Sequence, residues 1–284
     1  MARSRRRHHV LVRPSSSRNV GETGDGHDDG VASLPLAGFI VGVTADRRRH
    51  EQAELFEQAG ARVVLGPAMS RATGGPVDHL ARWSLPADAT PARRLIAATC
   101  AARLDAVTFT SAAAVANLFT LADTMGQRDD LRSALNGHVL TATIGPETTA
   151  AAGALGIANA VEAGRPTLPA LAAAISEVLE PRRHRLTAAG TSLVMQGSLV
   201  QIDGVAVDLS QRELALLDAL CRRAGTVVPR STLARDLWAD KAASPHAVDV
   251  TVARLRRRLG PTGTAIRTVP RRGYWLDADQ NRTA

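Results

Sequence analysis

The sequence predicts two folded domains: an α/β domain built on a parallel sheet with helices on both faces, then a smaller α+β domain. Three observations predict them. From residue 38 to about 181, short apolar β-rich runs alternate with helical periodicity, and strand–helix–strand units of that length imply parallel pairing. From residue 191 the pattern changes to short β runs, three helices and a closing pair of β runs. The excess charge is confined to the second part: residues 182–284 hold 17 Lys+Arg against 9 Asp+Glu, whereas the first 181 residues hold 18 of each. A chain of 284 residues that is 45% hydrophobic is long enough and apolar enough for two cores.

The chain opens Met-Ala-Arg-Ser-Arg-Arg-Arg-His-His with no apolar stretch behind it, so it is not read as a secretory signal. Residues 10–36 are rich in Ser, Gly, Asp and Pro and lack periodicity, and 1–36 is predicted to be a disordered tail. No apolar run approaches 18 residues, which argues against a membrane span. Cys100 and Cys221 fall in separate predicted helices of separate domains, which argues against a disulfide and against a metal site. A cytoplasmic protein is expected.

The α/β domain is expected over 37–181. Phe39–Thr44 reads as a strand, Arg47–Gly60 as a helix with Ala53, Leu55, Phe56 and Ala59 on its apolar face, and Arg62–Leu65 as a second strand. Further on, Ala92–Ala102 is helical, Asp105–Thr110 is a buried strand, and Ser111 opens a helix to Leu121. A helix over Asp129–Leu135, a strand over His138–Thr143, a helix over Glu147–Leu155, a short edge strand over Ile157–Val161 and a helix over Leu168–Leu179 complete the domain. Ligands bind such sheets at the carboxyl ends of the strands. Two of those ends carry hydroxyls and backbone N–H groups at a helix N-terminus, where anions settle: Thr108-Phe-Thr110-Ser111 and Gly145-Pro-Glu-Thr148. The same residues also read as plain helix caps.

A linker is expected over 182–190 and the α+β domain over 191–279. Asp203-Gly204 between Leu199–Ile202 and Val205–Leu209 is a hairpin signal. Ser210 with Glu213 three residues on forms a capping box for the first helix, which Gly225 ends. Ser231 starts the second helix, with Leu233, Leu237 and Trp238 facing inward. Ser244-Pro245 opens the third, on which Val248, Val252, Leu255 and Leu259 form one apolar stripe while Arg254, Arg256, Arg257 and Arg258 lie largely off it. Ala265–Val269 and Tyr274–Asp277 then flank the basic turn Pro270-Arg-Arg-Gly273. Helix, helix, arginine-rich helix and a hairpin with arginines at its tip is the order of a winged helix-turn-helix domain, whose third helix fits a DNA major groove. Guanidinium groups there would fork onto phosphate oxygens or a guanine edge, so double-stranded DNA is the expected partner. A solvated basic face accounts equally well for Arg257 and Arg258, but not for the basic turn beyond them.

This segment resembles the C-terminal DNA-binding domain of OmpR/PhoB-type response regulators. The motifs that carry the resemblance are Leu-Ser-Gln-Arg-Glu-Leu-Ala-Leu-Leu (209–217), Val-Pro-Arg-Ser-Thr-Leu-Ala-Arg-Asp-Leu-Trp (228–238), Ala-Val-Asp-Val-Thr-Val-Ala-Arg-Leu-Arg-Arg-Arg-Leu (247–259) and Ile-Arg-Thr-Val-Pro-Arg-Arg-Gly-Tyr-Trp-Leu (266–276). The resemblance implies that the third helix is the recognition helix. It makes His246, Thr251, Arg254 and Arg256 candidates for DNA contact on that helix, and Arg267, Thr268, Arg271, Arg272 and Tyr274 candidates in the wing. The family more usually has a basic residue where Ala253 stands.

The earlier domain resembles uroporphyrinogen-III synthase through Gly38-Phe-Ile-Val-Gly-Val-Thr44, Asp105-Ala-Val-Thr-Phe-Thr-Ser-Ala-Ala-Ala-Val115 and Ile144-Gly-Pro-Glu-Thr-Thr-Ala150. That family cyclises a linear tetrapyrrole, hydroxymethylbilane, with loss of water and without a cofactor, between two α/β lobes. The resemblance favours a ligand role for Thr44, Thr108, Thr110, Ser111, Gly145 and Thr148, with a linear or cyclic tetrapyrrole as the ligand and no cofactor. Only 26 residues separate Leu65 from Ala92, too few for the family's inserted lobe, so a single lobe is expected. Ala81 stands where the family's active-site tyrosine would be, and no catalytic residue is assigned. Enzyme activity is thus left open. The expected function is a DNA-binding transcriptional regulator with a uroporphyrinogen-III synthase-like sensor domain. The alternative is an active synthase carrying a DNA-binding domain. Either is compatible with a homodimer.

Overall fold

The computed structural model describes residues 34–71, 83–84, 86–237 and 245–280. Residues 1–33 of the expected 1–36 tail, Ala81, Trp238 and Ser244 lie outside the described residues. In chain order the first domain comprises β1 (Ile40–Val43), α1 (Arg49–Gln58), β2 (Arg62–Leu65), β3 (Ser70–Arg71), β4 (Trp83–Ser84), α2 (Thr90–Cys100), β5 (Ala106–Phe109), α3 (Ala112–Thr124), α4 (Arg128–Asn136), β6 (Leu140–Thr143), α5 (Pro146–Ala154), β7 (Val161–Glu162) and α6 (Leu168–Leu179).

Five strands form one parallel sheet in the order β2-β1-β5-β6-β7, with Val41 beside both Val63 and Ala106, and Ala106 beside Leu140. β3 and β4 make a separate antiparallel pair. Every residue of β5 and β6 is buried, as expected where helices cover both faces of a parallel sheet. On one face, α1 and α6 contribute Phe56, Leu171, Ile175 and Leu179, packed on Val41, Val43 and Ala142. On the other, α2 to α5 contribute Leu95, Ile96, Leu118, Phe119 and Leu131, packed on Val107 and Phe109. The chain order of the strands reverses between β1 and β5. The crevice beyond their carboxyl ends is the switch point at which open α/β sheets take ligands.

The second domain continues with β8 (His184–Ala188), β9 (Thr191–Gln196), β10 (Leu199–Ile202), β11 (Val205–Ala206), α7 (Gln211–Cys221), β12 (Val228–Pro229), α8 (Arg230–Leu237), α9 (Pro245–Arg258), β13 (Ile266–Val269), β14 (Gly273–Leu276) and β15 (Ala278–Gln280). Strands β11-β10-β9-β8-β15 form an antiparallel sheet, and β12-β14-β13 a second one. The hairpin turn between β10 and β11 has both Asp203 (φ 49) and Gly204 (φ 78) left-handed, the combination that a two-residue turn of matching twist requires. Ser210 closes the predicted capping box: its side chain accepts from the Glu213 N–H, and Glu213 accepts from the Ser210 N–H at 2.8 Å. Leu186, Met195, Leu216, Leu220, Val248, Val252, Leu255, Ile266 and Leu276 share one core.

Two boundaries differ from the expectation. Residues 182–190, expected as a linker, hold β8, whose Leu186 and Ala188 are buried in the second core; neighbouring His184, Arg185 and Thr187 mask the alternation in the sequence. The folded part also begins before residue 37. Leu36 is fully buried and donates its N–H to Ala59 O at 2.8 Å. Among the described residues no helix is long and apolar enough to cross a membrane.

The two domains touch through a small polar interface. The turn between β9 and β10 approaches the start of β1, where the Gly38 carbonyl accepts both the N–H of Ser198 at 2.8 Å and its hydroxyl at 2.7 Å. A Cβ on Gly38 would lie 2.2 Å from Gln196 O, and one on Gly197 would lie 2.6 Å from Gly38 O. The fully buried Gln196 donates to Leu34 O and Pro35 O, and Gln211 to Ala102 O. All of these contacts fall at the amino ends of the parallel strands.

Candidate nucleic-acid interface

Helix α9 presents two opposed faces. Val248, Thr251, Val252 and Leu255 are buried, whereas His246, Ala253, Arg254, Arg257 and Arg258 are exposed. Spacing of 3.6 residues per turn puts 246, 250, 253, 254 and 257 on one stripe, so an imidazole and two guanidinium groups share the outer surface. Arg254, Arg257 and Arg258 form no ion pair among the described residues. Exposed cations without a direct ion pair suit a polyanion.

The wing follows from β13 and β14, paired with Val269 opposite Gly273 and Thr268 opposite Tyr274. Its turn is Val269-Pro270-Arg271-Arg272, closed by Arg272 N–H donating to Val269 O at 3.1 Å. Pro270 supplies the fixed φ that the second position favours, and Arg271 sits at φ 60 in the third. A non-glycine residue there costs about 1–2 kcal/mol. Both Arg271 and Arg272 are exposed. Gly273, by contrast, has no freedom to change: a Cβ there would lie 2.0 Å from Val228 O.

The remaining candidates in this domain have internal partners. Arg256 donates to Ile266 O at 3.0 Å and to Thr268 Oγ1 at 2.8 Å, tying α9 to β13. Arg267 pairs with Asp277 at 3.4 Å. Thr251, expected at the surface, turns inward with its hydroxyl on Ala247 O at 2.8 Å, because position 251 falls on the buried stripe. Tyr274 is only 4% exposed. Its hydroxyl donates to Asp249 at 2.6 Å, and its ring lies 4.6 Å from the Arg230 guanidinium carbon and 5.7 Å from that of Arg256. Burial raises the Tyr274 phenol, and the Asp249 bond adds to the rise. The same bond, with help from Arg230, holds the Asp249 carboxyl below its ordinary range. Sequence reading missed Asp249, although it is the only acidic residue on a basic helix.

At the carboxyl ends of the parallel strands, Thr44 donates to Thr108 O at 2.7 Å, and Thr108 donates to Gly42 O while accepting from Gln52 at 3.1 Å. Both threonines are fully buried, and their hydroxyls cross-link β1, β5 and α1. Ser111 caps α3, accepting the Ala114 N–H at 3.2 Å. Thr110 is half-buried and its hydroxyl makes no hydrogen bond among the described residues. Gly145 precedes α5 with an extended backbone (φ 174), and Thr148 is buried one turn in. The neighbouring Thr149, absent from the predicted set, bonds Thr143 and Glu162, each at 2.7 Å. Arg165 stands exposed beyond β7 and has no ion-pair partner among the described residues. The helix starts at Ser111 and Gly145 thus open at neighbouring strand ends, as the sequence predicted, while Thr44 and Thr108 are turned into the protein.

The fold and its basic face define a protein made of a single parallel α/β lobe joined to a winged helix. The family described as transcriptional regulatory protein, C terminal, matches residues 204–276, and the family uroporphyrinogen-III synthase HemD matches residues 43–173. The C-terminal domain is thus similar to OmpR/PhoB-type transcriptional regulatory domains, and the domain ahead of it is uroporphyrinogen-III synthase-like. A probable transcriptional regulatory protein, y4xI, of Sinorhizobium fredii is 37% identical over 84 residues, covering 28% of this chain and 37% of that protein. The C-terminal DNA-binding domain of RstA from Klebsiella pneumoniae is 31% identical, covering 30% of this chain and 82% of that one, with a TM-score of 0.27. Uroporphyrinogen III synthase of Thermus thermophilus is 16% identical, covering 50% of this chain and 99% of that one, with a TM-score of 0.40. The chain spans about a third of the length of the curated relatives it matches.

Proposed function

We propose that this protein is a cytoplasmic DNA-binding transcriptional regulator whose α/β lobe senses a tetrapyrrole. One observation carries the DNA reading: the exposed Arg254, Arg257 and Arg258 of α9 and the exposed Arg271 and Arg272 of the wing tip belong to a domain of the transcriptional regulatory family. Helix α9 enters the major groove with Arg254 directed at base edges and His246 toward its start. The wing tip carries Arg271 and Arg272 to the flanking backbone. Arg256 acts from inside, holding helix and wing together through Ile266 O and Thr268.

The sensor reading is supported by the match to uroporphyrinogen-III synthases and by the sheet-end turns. The starts of α3 and α5 present backbone N–H groups, Thr110 adds an uncommitted hydroxyl, and Arg165 a cation without an ion-pair partner among the described residues. Carboxylates of a tetrapyrrole suit such donors. The described residues contain one parallel sheet, so a ligand held there meets a single wall.

Genomic fragments retained by the purified chain would yield the cognate site, and titration with a uroporphyrinogen while DNA binding is followed tests the sensor. Binding to duplex DNA that weakens with salt supports the regulator, and absence of any such binding refutes it. An affinity that uroporphyrinogen leaves unchanged removes the sensor role. Turnover of hydroxymethylbilane at the rate of a two-lobed synthase would make the lobe an enzyme instead.

A further inference from the structure

We propose that Asp249, acting with Tyr274 and Arg230, is a positioning residue that fixes the angle between the recognition helix and the wing. The inference rests on the DNA-binding reading above and assigns a role to three residues that do not themselves read DNA.

Asp249 is out of place on electrostatic grounds. It is the only carboxylate on α9, its side chain is 43% exposed, and it shares the helix with Arg254, Arg256, Arg257 and Arg258. Facing a phosphate backbone, such a charge is repelled, at a strength set by its distance and screening. Its hydrogen bonds indicate what offsets that repulsion. Tyr274 Oη donates to Asp249 Oδ1 at 2.6 Å, and Arg230 Nε donates to the same oxygen at 2.9 Å. Arg230 also reaches toward the Tyr274 hydroxyl at 3.4 Å and stacks on its ring at 4.6 Å. Hydrogen bonds to an ionised acceptor are the strong ones, and a planar guanidinium stacked on an aromatic face is preorganised to make them.

The three residues come from three different elements. Arg230 begins α8, Asp249 lies in the second turn of α9, and Tyr274 lies on β14 between Val228 of β12 and Thr268 of β13. Two turns further along α9, Arg256 also lies over the Tyr274 ring, at 5.7 Å, and bonds β13. The phenol is therefore contacted by two guanidinium groups and joined to the carboxylate. This arrangement leaves the helix and the wing one relative orientation. A base-reading helix and a backbone-touching wing must engage together, so a small rotation between them costs contacts at one end or the other. Cognate binding, which needs both ends in register, suffers most from such a rotation. Random-sequence binding, which needs only charge near phosphate, suffers least.

The alternative for Asp249 is a mere negative charge near DNA, and the two roles differ in sign. The test uses the full chain and two conservative variants, Asp249→Asn and Tyr274→Phe, with affinities for the cognate fragment and for random duplex measured across a salt series, alongside thermal melts. Positioning predicts that each variant lowers cognate affinity by about ten-fold or more, the size of one lost hydrogen bond to a charged group. It also predicts random-duplex affinity and salt slope near those of the unmodified chain, and a double variant no weaker than the worse single one. The ratio of cognate to random affinity is the decisive readout, because a loss of folded fraction lowers both affinities equally and leaves that ratio unchanged. Equal gains on both DNAs with Asp249→Asn, or an unchanged ratio in both variants, overturn the positioning role while leaving the regulator reading standing. An unmodified chain that binds neither DNA overturns both.

Discussion

Arg271 is held in a conformation that its residue type disfavours, and this gives a two-sided prediction for Arg271→Gly. The residue occupies the third position of the wing turn at φ 60, where a Cβ meets the following carbonyl oxygen. Glycine removes that clash, worth about 1–2 kcal/mol. It also loosens the unfolded chain, which returns about 0.4–1 kcal/mol. The balance is a variant more stable by about 1 kcal/mol, since the exposed Arg271 side chain has no ion pair among the described residues to lose. Binding moves in the opposite sense. With the guanidinium gone, one phosphate contact goes, and the slope of log K against log salt flattens by about 0.9 for every duplex sequence. Chemical denaturation measures the first effect, and a salt titration on random and cognate duplexes the second. A destabilised variant would show that the turn is not strained at this position, and an unchanged slope would show that Arg271 does not lie on phosphate. A loss confined to the cognate duplex would make it a base reader instead.

Three further outcomes follow from the geometry. Gly38→Ala places a Cβ 2.2 Å from Gln196 O and adds left-handed strain at φ 78, whereas Gly190→Ala, at the same φ of 78, meets nothing within 4 Å; only the former is expected to split the thermal transition into two and to expose the segment before β8 to protease, and identical behaviour of the two variants would rule out a specific domain contact. Asp105 lies at that contact, accepting the Ile40 N–H at 2.8 Å, and burial holds its carboxyl above the ordinary range. Its folded value thus exceeds its unfolded one, the folded state binds the proton more tightly, and stability falls as pH rises through the interval between them. Asp105→Asn retains an acceptor oxygen and removes the charge, so melts at neutral pH should show a more stable protein with a flatter acid-side profile, and a lower melting point at neutral pH would contradict the assignment. Ser210→Ala, which removes half of a capping box, should cost about 1 kcal/mol in denaturation without altering the salt slope of DNA binding.

Much of the fold was legible because local signals agreed with one another. The buried runs at Ala106–Phe109 and Leu140–Thr143 sit between helices whose caps and stop signals are written nearby, as with Ser111 before α3. Asp203-Gly204 and the Ser210–Glu213 pair each define a turn or cap within four residues. What escaped was either short or dependent on distant chain. β7 is two residues long and lies at the end of the expected 157–161 run, because Asn136 holds Gly156 O and Ala158 N–H in a loop. β8 alternates buried aliphatic with basic and polar side chains, and its partners are β9 and, from the far end of the domain, β15. In the basic surface, the exposed arginines could be read from position alone. Thr251 and Tyr274 could not, since hydroxyls that look available in a motif are consumed by Ala247 O and Asp249. The role of Gly38 was equally hidden. It belongs to a recognisable strand opening, but the close approach of Gln196 and Ser198 arises between residues about 160 apart.

The placement of the domain contact constrains how the proposed sensor can act. Gly38, Ala102 and Asp105 touch or adjoin the winged-helix domain at the amino ends of β1 and β5, while Thr110, Ser111 and Gly145 stand at the carboxyl ends of β5 and β6. A strand rises about 3.3 Å per residue, so the four residues of β5 separate the two ends by roughly 13 Å. Strands β5 and β6 are buried on both faces, and the Thr44, Thr108 and Gln52 hydrogen bonds tie β1, β5 and α1 together, which favours movement as a unit. If a ligand at the carboxyl ends shifts these strands as a unit, the Gly38–Ser198 contact is where that movement would meet the second domain. No residue of the exposed α9 face is hydrogen-bonded or ion-paired to the α/β lobe among the described residues. Regulation of the proposed kind would therefore change the orientation of that exposed basic surface. Gly38→Ala should accordingly leave cognate affinity in the absence of tetrapyrrole near that of the unmodified chain and abolish any response to it.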